Sequence, residues 1–318
     1  MGDITIITGN LGQDGILLTK LLKEKRNKII GISSRLKPHF KNSSTTNPVH
    51  QYFCPKISQS FIAKIIQEHK PTKIFHLATV NGPASVMSDA WQKQNHKKIY
   101  EVHVENTRNI LEIIKDLDPQ IKFIFAGSSK MYKLRSMYST IDENTKMDGE
   151  GIYAQSKIEA RKLIDYYRDE FAINAGTAIL FNHESKYRKS GFLFVEIAKQ
   201  INDVVSMKRN RIDLLDANIM ADWHSARDTV QALEIISQQN KLTDYVVASG
   251  IAKSVREIIS DYLFDRNIEI DALPQISVEE SLVAKQQTRV GNIRKLTELG
   301  WSCKISLNQI IDEIREVV

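Results

Sequence analysis

Cysteine is almost missing: the 318 residues include two, Cys54 and Cys303, far apart in the chain. A disulfide-framed scaffold and a cysteine-built zinc site are excluded, and a reducing, cytoplasmic setting is expected. No apolar run approaches the ~18 residues that a membrane-spanning helix needs. The N-terminus has no basic stretch leading into an apolar one. It enters a strand-like run at once, Ile4-Thr5-Ile6-Ile7-Thr8, so no leader is expected. Charge of one sign is not concentrated anywhere. Lys and Arg total 44 against 38 Asp and Glu, a net +6, and the basic residues are scattered without interleaved aromatics. That balance suits a small anionic ligand and argues against a nucleic-acid partner. Repeats and low-complexity tracts are also missing. At about 150 residues per domain, the length allows one large domain or two intimate ones.

What is present is alternation. Apolar runs at Ile4–Thr8, Lys28–Ser33, Lys73–Leu77, Lys122–Ala126 and Ala175–Phe181 read as strands. Amphipathic stretches between them, Gly15–Lys25, Gln59–His69, Tyr100–Lys115 and Tyr153–Phe171, read as helices. Strand and helix alternating at this spacing give parallel strands with crossover helices, hence an α/β doubly wound sheet. Runs such as Phe123-Ile124-Phe125-Ala126 are apolar throughout, as expected when both faces are covered. Beyond Asn182 the pattern loosens. Helices are expected at Phe192–Val205, Ser225–Gln238, Ser254–Asp265 and Ser306–Val318, and short strands near Ile212–Leu215 and Tyr245–Ala248. This predicts a dinucleotide-binding domain over 1–181 and a smaller mixed α/β substrate lobe over 182–318, with some segments exchanged. Residues 37–49 and 80–98 read as polar loops.

The segment Thr8-Gly9-Asn10-Leu11-Gly12-Gln13-Asp14-Gly15 follows the first strand and opens the first helix. Glycines there allow a tight turn and close approach of a pyrophosphate to the helix N-terminus. The alternative is an ordinary glycine-rich turn. The second strand ends Ser33-Ser34-Arg35, without the acidic residue that would accept the ribose hydroxyls of NAD. Arg35 and the serines suit a 2′-phosphate, favouring NADP with NAD second; a solvated loop charge is the other reading of Arg35.

Tyr153-Ala154-Gln155-Ser156-Lys157 places a phenol and an ammonium one helical turn apart. A phenol near pKa 10 is a poor base at neutral pH, and an adjacent ammonium lowers it. Ser128, at the carboxyl end of the fourth predicted strand, is placed to hold the alcohol that Tyr153 deprotonates. His76 reads as a hydrogen-bonded core histidine. His96 and His103 have no partner at ligand spacing, so no metal is expected and both read as surface residues.

The runs Ile7-Thr8-Gly9-Asn10-Leu11-Gly12-Gln13-Asp14-Gly15 and Ile179-Leu180-Phe181-Asn182-His183-Glu184-Ser185 resemble the GDP-mannose 4,6-dehydratase family. That family lies within the extended short-chain dehydrogenase/reductases, which carry Rossmann folds. Weaker likeness lies in Asp222-Trp223-His224 and Leu299-Gly300-Trp301. The resemblance implies oxidation of a nucleotide-linked sugar at C4 and loss of water across C5 and C6. It implies a GDP-linked substrate and a homodimer or homotetramer, with no membrane partner. By resemblance, Gly9 through Asp14, with Leu77, Ala78, Thr79, His183 and Arg188, line the cofactor. Asn81, Ser129, Asn182, Lys199 and Arg289 fall on the substrate side, with Lys285 an alternative to Arg289. Ser128 takes the place of the family's catalytic threonine, while Tyr153 and Lys157 match directly. Lys130 stands where the family supplies a glutamate for the elimination. That departure keeps two alternatives open: a 4-oxidoreductase or epimerase without elimination, and a silent nucleotide-binding homologue. Glu184 matches the family and is expected to fill an ordinary positional role.

Overall fold

Consecutive apolar residues in a strand are all buried only when both sheet faces are covered, and the strands here are of that kind. The structure is a computed structural model that describes residues 2–37, 50–83, 86–136, 138–209, 212, 217–268 and 287–318. Its strands are β1 (Ile4–Thr8), β2 (Lys28–Ser33), β3 (His50–Phe53), β4 (Lys73–His76), β5 (Lys122–Ala126), β6 (Tyr138–Ile141), β7 (Ala175–Leu180), β8 (Asn182–Glu184), β9 (Met220–Ser225), β10 (Tyr245–Val247), β11 (Ala252–Ser254) and β12 (Thr288–Gly291). Seven of them form one sheet in the order β10-β7-β5-β4-β1-β2-β3, every pair parallel. This is the doubly wound α/β arrangement that the alternation predicts. Two small sheets, β11-β9-β8 and β12-β6, lie outside it.

The helices are α1 (Gln13–Glu24), α2 (Gln59–His69), α3 (Asp89–Gln94), α4 (His96–Tyr100), α5 (Asn106–Leu117), α6 (Ile152–Phe171), α7 (Leu193–Val205), α8 (Ala226–Gln238), α9 (Val255–Phe264), α10 (Arg294–Thr297) and α11 (Leu307–Arg315). Side chains alternate across the strands and sort the core into two layers. Ile7, Phe75 and Ile124 pack with Leu18 of α1 and Leu233 of α8 on one face. Ile6, Ile74 and Phe123 pack with Ile62, Ile110 and Ile164 of α2, α5 and α6 on the other. A third apolar cluster joins α7, α9, α11 and Trp223 of β9.

Three predicted strands coincide with β1, β2 and β5, and those predicted for β4, β7 and β10 run one residue too far. Sequence reading missed β3, β6, β8, β9, β11 and β12, which are three to six residues long and carry polar residues that break any run. Residues 80–98, expected as a loop leading into a helix, contain α3 and the start of α4. The strand expected at Ile212–Leu215 lies outside the described residues except for Ile212, as does most of the 37–49 loop.

One ionic contact anchors the helix that carries Tyr153 and Lys157. Asp244, 5% exposed at its side chain, accepts from Arg161 Nε at 2.8 Å and Nη2 at 2.5 Å. It also accepts from the Thr177 amide at 2.8 Å and faces Arg168 at 3.3 Å. These bonds tie the middle of α6 to β7 and to the turn before β10. Removing one partner of a buried pair strands the other, so Asp244→Ala is expected to lower unfolding stability by about 3–5 kcal/mol. The check is the urea midpoint at unchanged slope; a loss below about 1 kcal/mol would show that the contact is solvated.

Candidate active site

The sheet order reverses direction between β1 and β4, the switch point at which doubly wound sheets take ligands in a crevice beyond the carboxyl ends of their strands. Gly9 (φ 74°) starts the turn after β1. A Cβ at Gly9 would lie 2.8 Å from the Ala78 backbone, so two backbones meet where only glycine fits. Gly15 is equally constrained: its Cβ would meet the Gly9 carbonyl oxygen at 2.4 Å. Gly12 is the N-cap of α1, and no side chain caps that helix. The amides of the first turn therefore have no side-chain acceptor, which is the chemistry a pyrophosphate uses. Asn10 points elsewhere. It is buried and donates to Gln51 of β3 at 2.6 Å, in space left open by Gly31. Its contribution to the turn is through the backbone.

Asp14 and His183 lock this turn to β8. His183 Nε2 lies 3.1 Å from both carboxylate oxygens, and Nδ1 donates to the Phe181 carbonyl at 2.7 Å. Both ring nitrogens donate, which is the bonding of an imidazolium. Burial opposes charge on each partner, but their mutual attraction outweighs it. His183 is raised above its usual value and Asp14 is lowered below its own. Gln13 adds a bond to the His183 carbonyl at 3.2 Å and accepts from Ser185 at 3.0 Å.

Cations gather on this wall. Burial, then the charges of Arg35 and Arg188, lower the Lys189 ammonium, so Arg35, Arg188 and Lys189 share one neighbourhood. Arg188 also faces Glu184 at 3.1 Å and stacks on Phe192 at 3.9 Å. Lys189 was missed from sequence; its position directly after Arg188 was the available signal. Partial desolvation, then the charges of Arg289 and Arg188, lower the Lys130 ammonium, although the residue stays exposed. Lys130 lies over the Tyr153 ring at 5.6 Å. Arg289 is fixed by its Nε donating to the Tyr132 carbonyl at 2.7 Å.

Tyr153 itself is buried at the start of α6. Gln92 of α3 accepts from its amide at 3.0 Å and serves as a cap supplied from another helix. Burial raises the phenol above its ordinary value, against hydrogen bonds from Thr79 and Ser128 that lower it. Here the structure departs from the sequence expectation. Lys157 donates to the Ala126 carbonyl at 2.8 Å and lies over Phe125 at 4.6 Å, and burial pushes its ammonium down to about 7. Lys157 is not among the leading influences on the phenol, and the lowering by Thr79, Ser128 and Arg188 does not outweigh burial.

The backbones of Leu77 and Ala78 pass beside the glycine turn. Ser128 accepts from the Lys130 amide at 3.2 Å, and Ser129 is buried beside it. Asn81 and Asn182 are exposed. Lys199 is engaged near its own helix, with Glu196 at 3.0 Å and Ser190 at 2.6 Å. Lys285 lies outside the described residues. His76 is the expected core histidine, 2.6 Å from Thr8. His103 corrects the surface reading: it is 0% exposed and sits in a π-helical turn, Glu101–Glu105, between α4 and α5. It lies against the edge of Tyr153 at 5.3 Å. Among the described residues, no cluster of His, Cys, Asp and Glu is suited to a metal ion, and no helix is long and apolar enough to cross a membrane.

The sequence profile described as GDP-mannose 4,6 dehydratase matches residues 6–314. The chain belongs to the GDP-mannose 4,6-dehydratase family. Similarity to GDP-mannose 4,6 dehydratase 2 of Caenorhabditis elegans spans 98% of this chain and 87% of that one at 26% identity. With the GDP-mannose 4,6-dehydratase of Vibrio cholerae serotype O1 it spans 98% and 92%, again at 26%. The fold is shared with a dTDP-glucose 4,6-dehydratase from Bacillus anthracis solved with NAD. The TM-score is 0.78 and the identity 15%, over 99% of this chain and 96% of that one. Family membership makes this chain an enzyme of the nucleotide-sugar dehydratase class.

The Asp14–His183 pair carries a pH signature. A raised imidazole stabilises the fold below its unfolded value near 6.5 and loses the effect as pH rises through its folded value. A lowered carboxyl stabilises above its unfolded value near 3.8 and loses the effect as pH falls through its folded value. The pair thus acts in full between about pH 3.8 and 6.5. Asp14→Asn is expected to cost more stability at about pH 5.5 than at about pH 9, read from urea midpoints. Equal losses at both would show an uncharged His183.

Proposed function

We propose that the protein is a GDP-mannose 4,6-dehydratase that uses NADP and carries out its elimination with Lys130 in place of a glutamate. The observation that carries this is the convergence of Ser128, Tyr153 and Lys130 beside the uncapped α1 N-terminus. The division into a cofactor domain over 1–181 and a substrate lobe over 182–318 belongs to the same proposal. So does a homo-oligomer through α5 and α6, supported by exposed Leu117, Tyr166 and Phe171. A cytoplasmic location completes it, in keeping with the free thiols Cys54 and Cys303.

When bound, the nicotinamide supplies the hydride acceptor and donor of the cycle. The open face of Gly12 and the first-turn amides of α1 suit its pyrophosphate; Arg35, Arg188 and Lys189 suit a 2′-phosphate. Ser128 and Tyr153 hold the sugar's C4 hydroxyl, and Tyr153 takes its proton. Lys130, as the free amine, takes the C5 proton of the resulting ketone. The enolate electrons expel the C6 hydroxyl, which collects that proton from Lys130 and leaves as water. Arg289 steadies the charge of the substrate beside Lys130.

The test is incubation with GDP-mannose and NADP, with oxygen-18 at C6. A 4-keto-6-deoxy product lacking the label is expected, and a ketone or epimer that keeps the label would sink the dehydratase reading. Tyr153→Phe is expected to lower kcat at least about 100-fold, and Lys130→Met to stop loss of the label. Product formation unaffected by Lys130→Met would assign the elimination elsewhere. Arg35→Ala should weaken NADP binding about tenfold or more and leave NAD unchanged, as fluorescence titration would read. Equal weakening of both would remove the case for a 2′-phosphate at Arg35.

A further inference from the structure

The run Asp222-Trp223-His224 carries one side chain that neither the apolar core nor the cofactor turn accounts for. Side chains alternate along β9. Trp223 joins the third apolar cluster, so Asp222 points to the opposite face, where it is 1% exposed. Among the described residues no cation pairs with it. Four donors converge on it instead. Its Oδ1 accepts from the Ser249 amide at 2.7 Å and from the Ser249 hydroxyl at 2.6 Å. Its Oδ2 accepts from the amides of Gly250 and Gly291, each at 3.0 Å. Both oxygens only accept, which is the bonding of a carboxylate. A buried charge without a counter-ion stands only on such bonds. They join three segments: β9, the turn after β10 and the end of β12.

The tie matters at β12, because that strand lies outside the large sheet and, among the described strands, pairs with β6 alone. Gly291 and Arg289 are two residues apart on β12, so their amides face the same edge of the strand. Arg289 is thus held at two points. Its backbone strand is fixed through Gly291 to Asp222, and its Nε donates to the Tyr132 carbonyl at 2.7 Å. Among the described residues, neither of its Nη groups takes a protein partner, and its charge is felt at the Lys130 ammonium. A guanidinium fixed through Nε with both Nη groups unspent presents a paired donor to an anion. We propose that Asp222 is the positioning residue for Arg289: by accepting from Gly291 it fixes the strand from which Arg289 reaches the nucleotide-linked sugar, and so sets affinity for that substrate without touching it. This rests on Arg289 as a substrate contact of the proposed reaction.

Two measurements on the full-length protein test this. Asp222→Asn keeps the volume but leaves one acceptor oxygen where there were two, so at least one backbone amide then faces a donor. Calorimetric titration of the NADP-loaded protein with GDP-mannose is expected to show binding weakened about tenfold, with NADP affinity itself changed less than about twofold. Arg289→Met is expected to weaken GDP-mannose binding similarly, and adding Asp222→Asn to it should cost less than about twofold more. Equal tenfold losses in both backgrounds overturn the proposal, since Asp222 would then act on the lobe at large; so does an unchanged affinity in Asp222→Asn. Should Asp222→Asn not fold, Ser249→Ala removes only the hydroxyl donor to the carboxylate and carries the same cycle at about threefold amplitude. The second measurement needs no substrate. Phenylglyoxal labelling, read by peptide mass spectrometry, is expected to modify Arg289 at least about threefold faster in Asp222→Asn. The exposed Arg294 is the control and should keep its rate. An unchanged Arg289 rate overturns the proposal. Failure of the unaltered protein to bind GDP-mannose would count against the dehydratase reading, and the labelling rates would then uphold or overturn the hold of Asp222 on Arg289 alone.

Discussion

The meeting of Gly9 with the backbone of Ala78 is the constraint on which the site depends. A side chain at residue 9 would strike main-chain atoms that have no freedom to move aside. With glycine there, the segment after β4 lies against the turn after β1. That contact brings Thr79 to the phenol of Tyr153 and leaves the α1 N-terminus open beside it. The parallel sheet supplies the rest. Every strand of the large sheet ends its chain direction on the same side, so residues distant in sequence converge on one edge.

Electrostatics give the crevice its character. Arg35, Arg188, Lys189, Lys130 and Arg289 face it, whereas Asp14 is matched by His183 and Glu184 by Arg188. Enclosed like charges are costly unless an anion offsets them. An anion carrying several phosphates is the ligand class that suits such a wall, in keeping with a nucleotide-linked sugar and a phosphorylated cofactor. Burial lowers the Lys157 ammonium, whereas Lys130, at the surface, is lowered by partial desolvation and by the charges of Arg289 and Arg188. The dehydratase reading uses that lowered basicity at Lys130, where the family otherwise employs a carboxylate.

Much of this was legible beforehand. The large-sheet strands announce themselves because burial on both faces demands unbroken apolar runs, and the glycine turn because its position directly after β1 restricts what it can be. The short strands β8 and β9 were invisible, since three to six mixed residues carry no period. Lys130, Ser128 and Tyr153 were named as candidates from motif and resemblance. His103 was misread although it stands at helical spacing from Ile99, Thr107 and Ile110, which share its buried face.

The amino-acid sequence by itself determined the doubly wound sheet, the dinucleotide turn and the family, because each depends on local composition and spacing that survive without knowledge of neighbours. Only the tertiary structure decided how the site is wired. It turned Lys157 toward the Ala126 carbonyl, paired Asp14 with His183 across 169 residues of chain, and set His103 behind Thr79. Those outcomes depend on which buried polar groups find one another when the elements close. Each such group must find a partner or meet the cost of desolvation, and the partner is chosen by three-dimensional proximity.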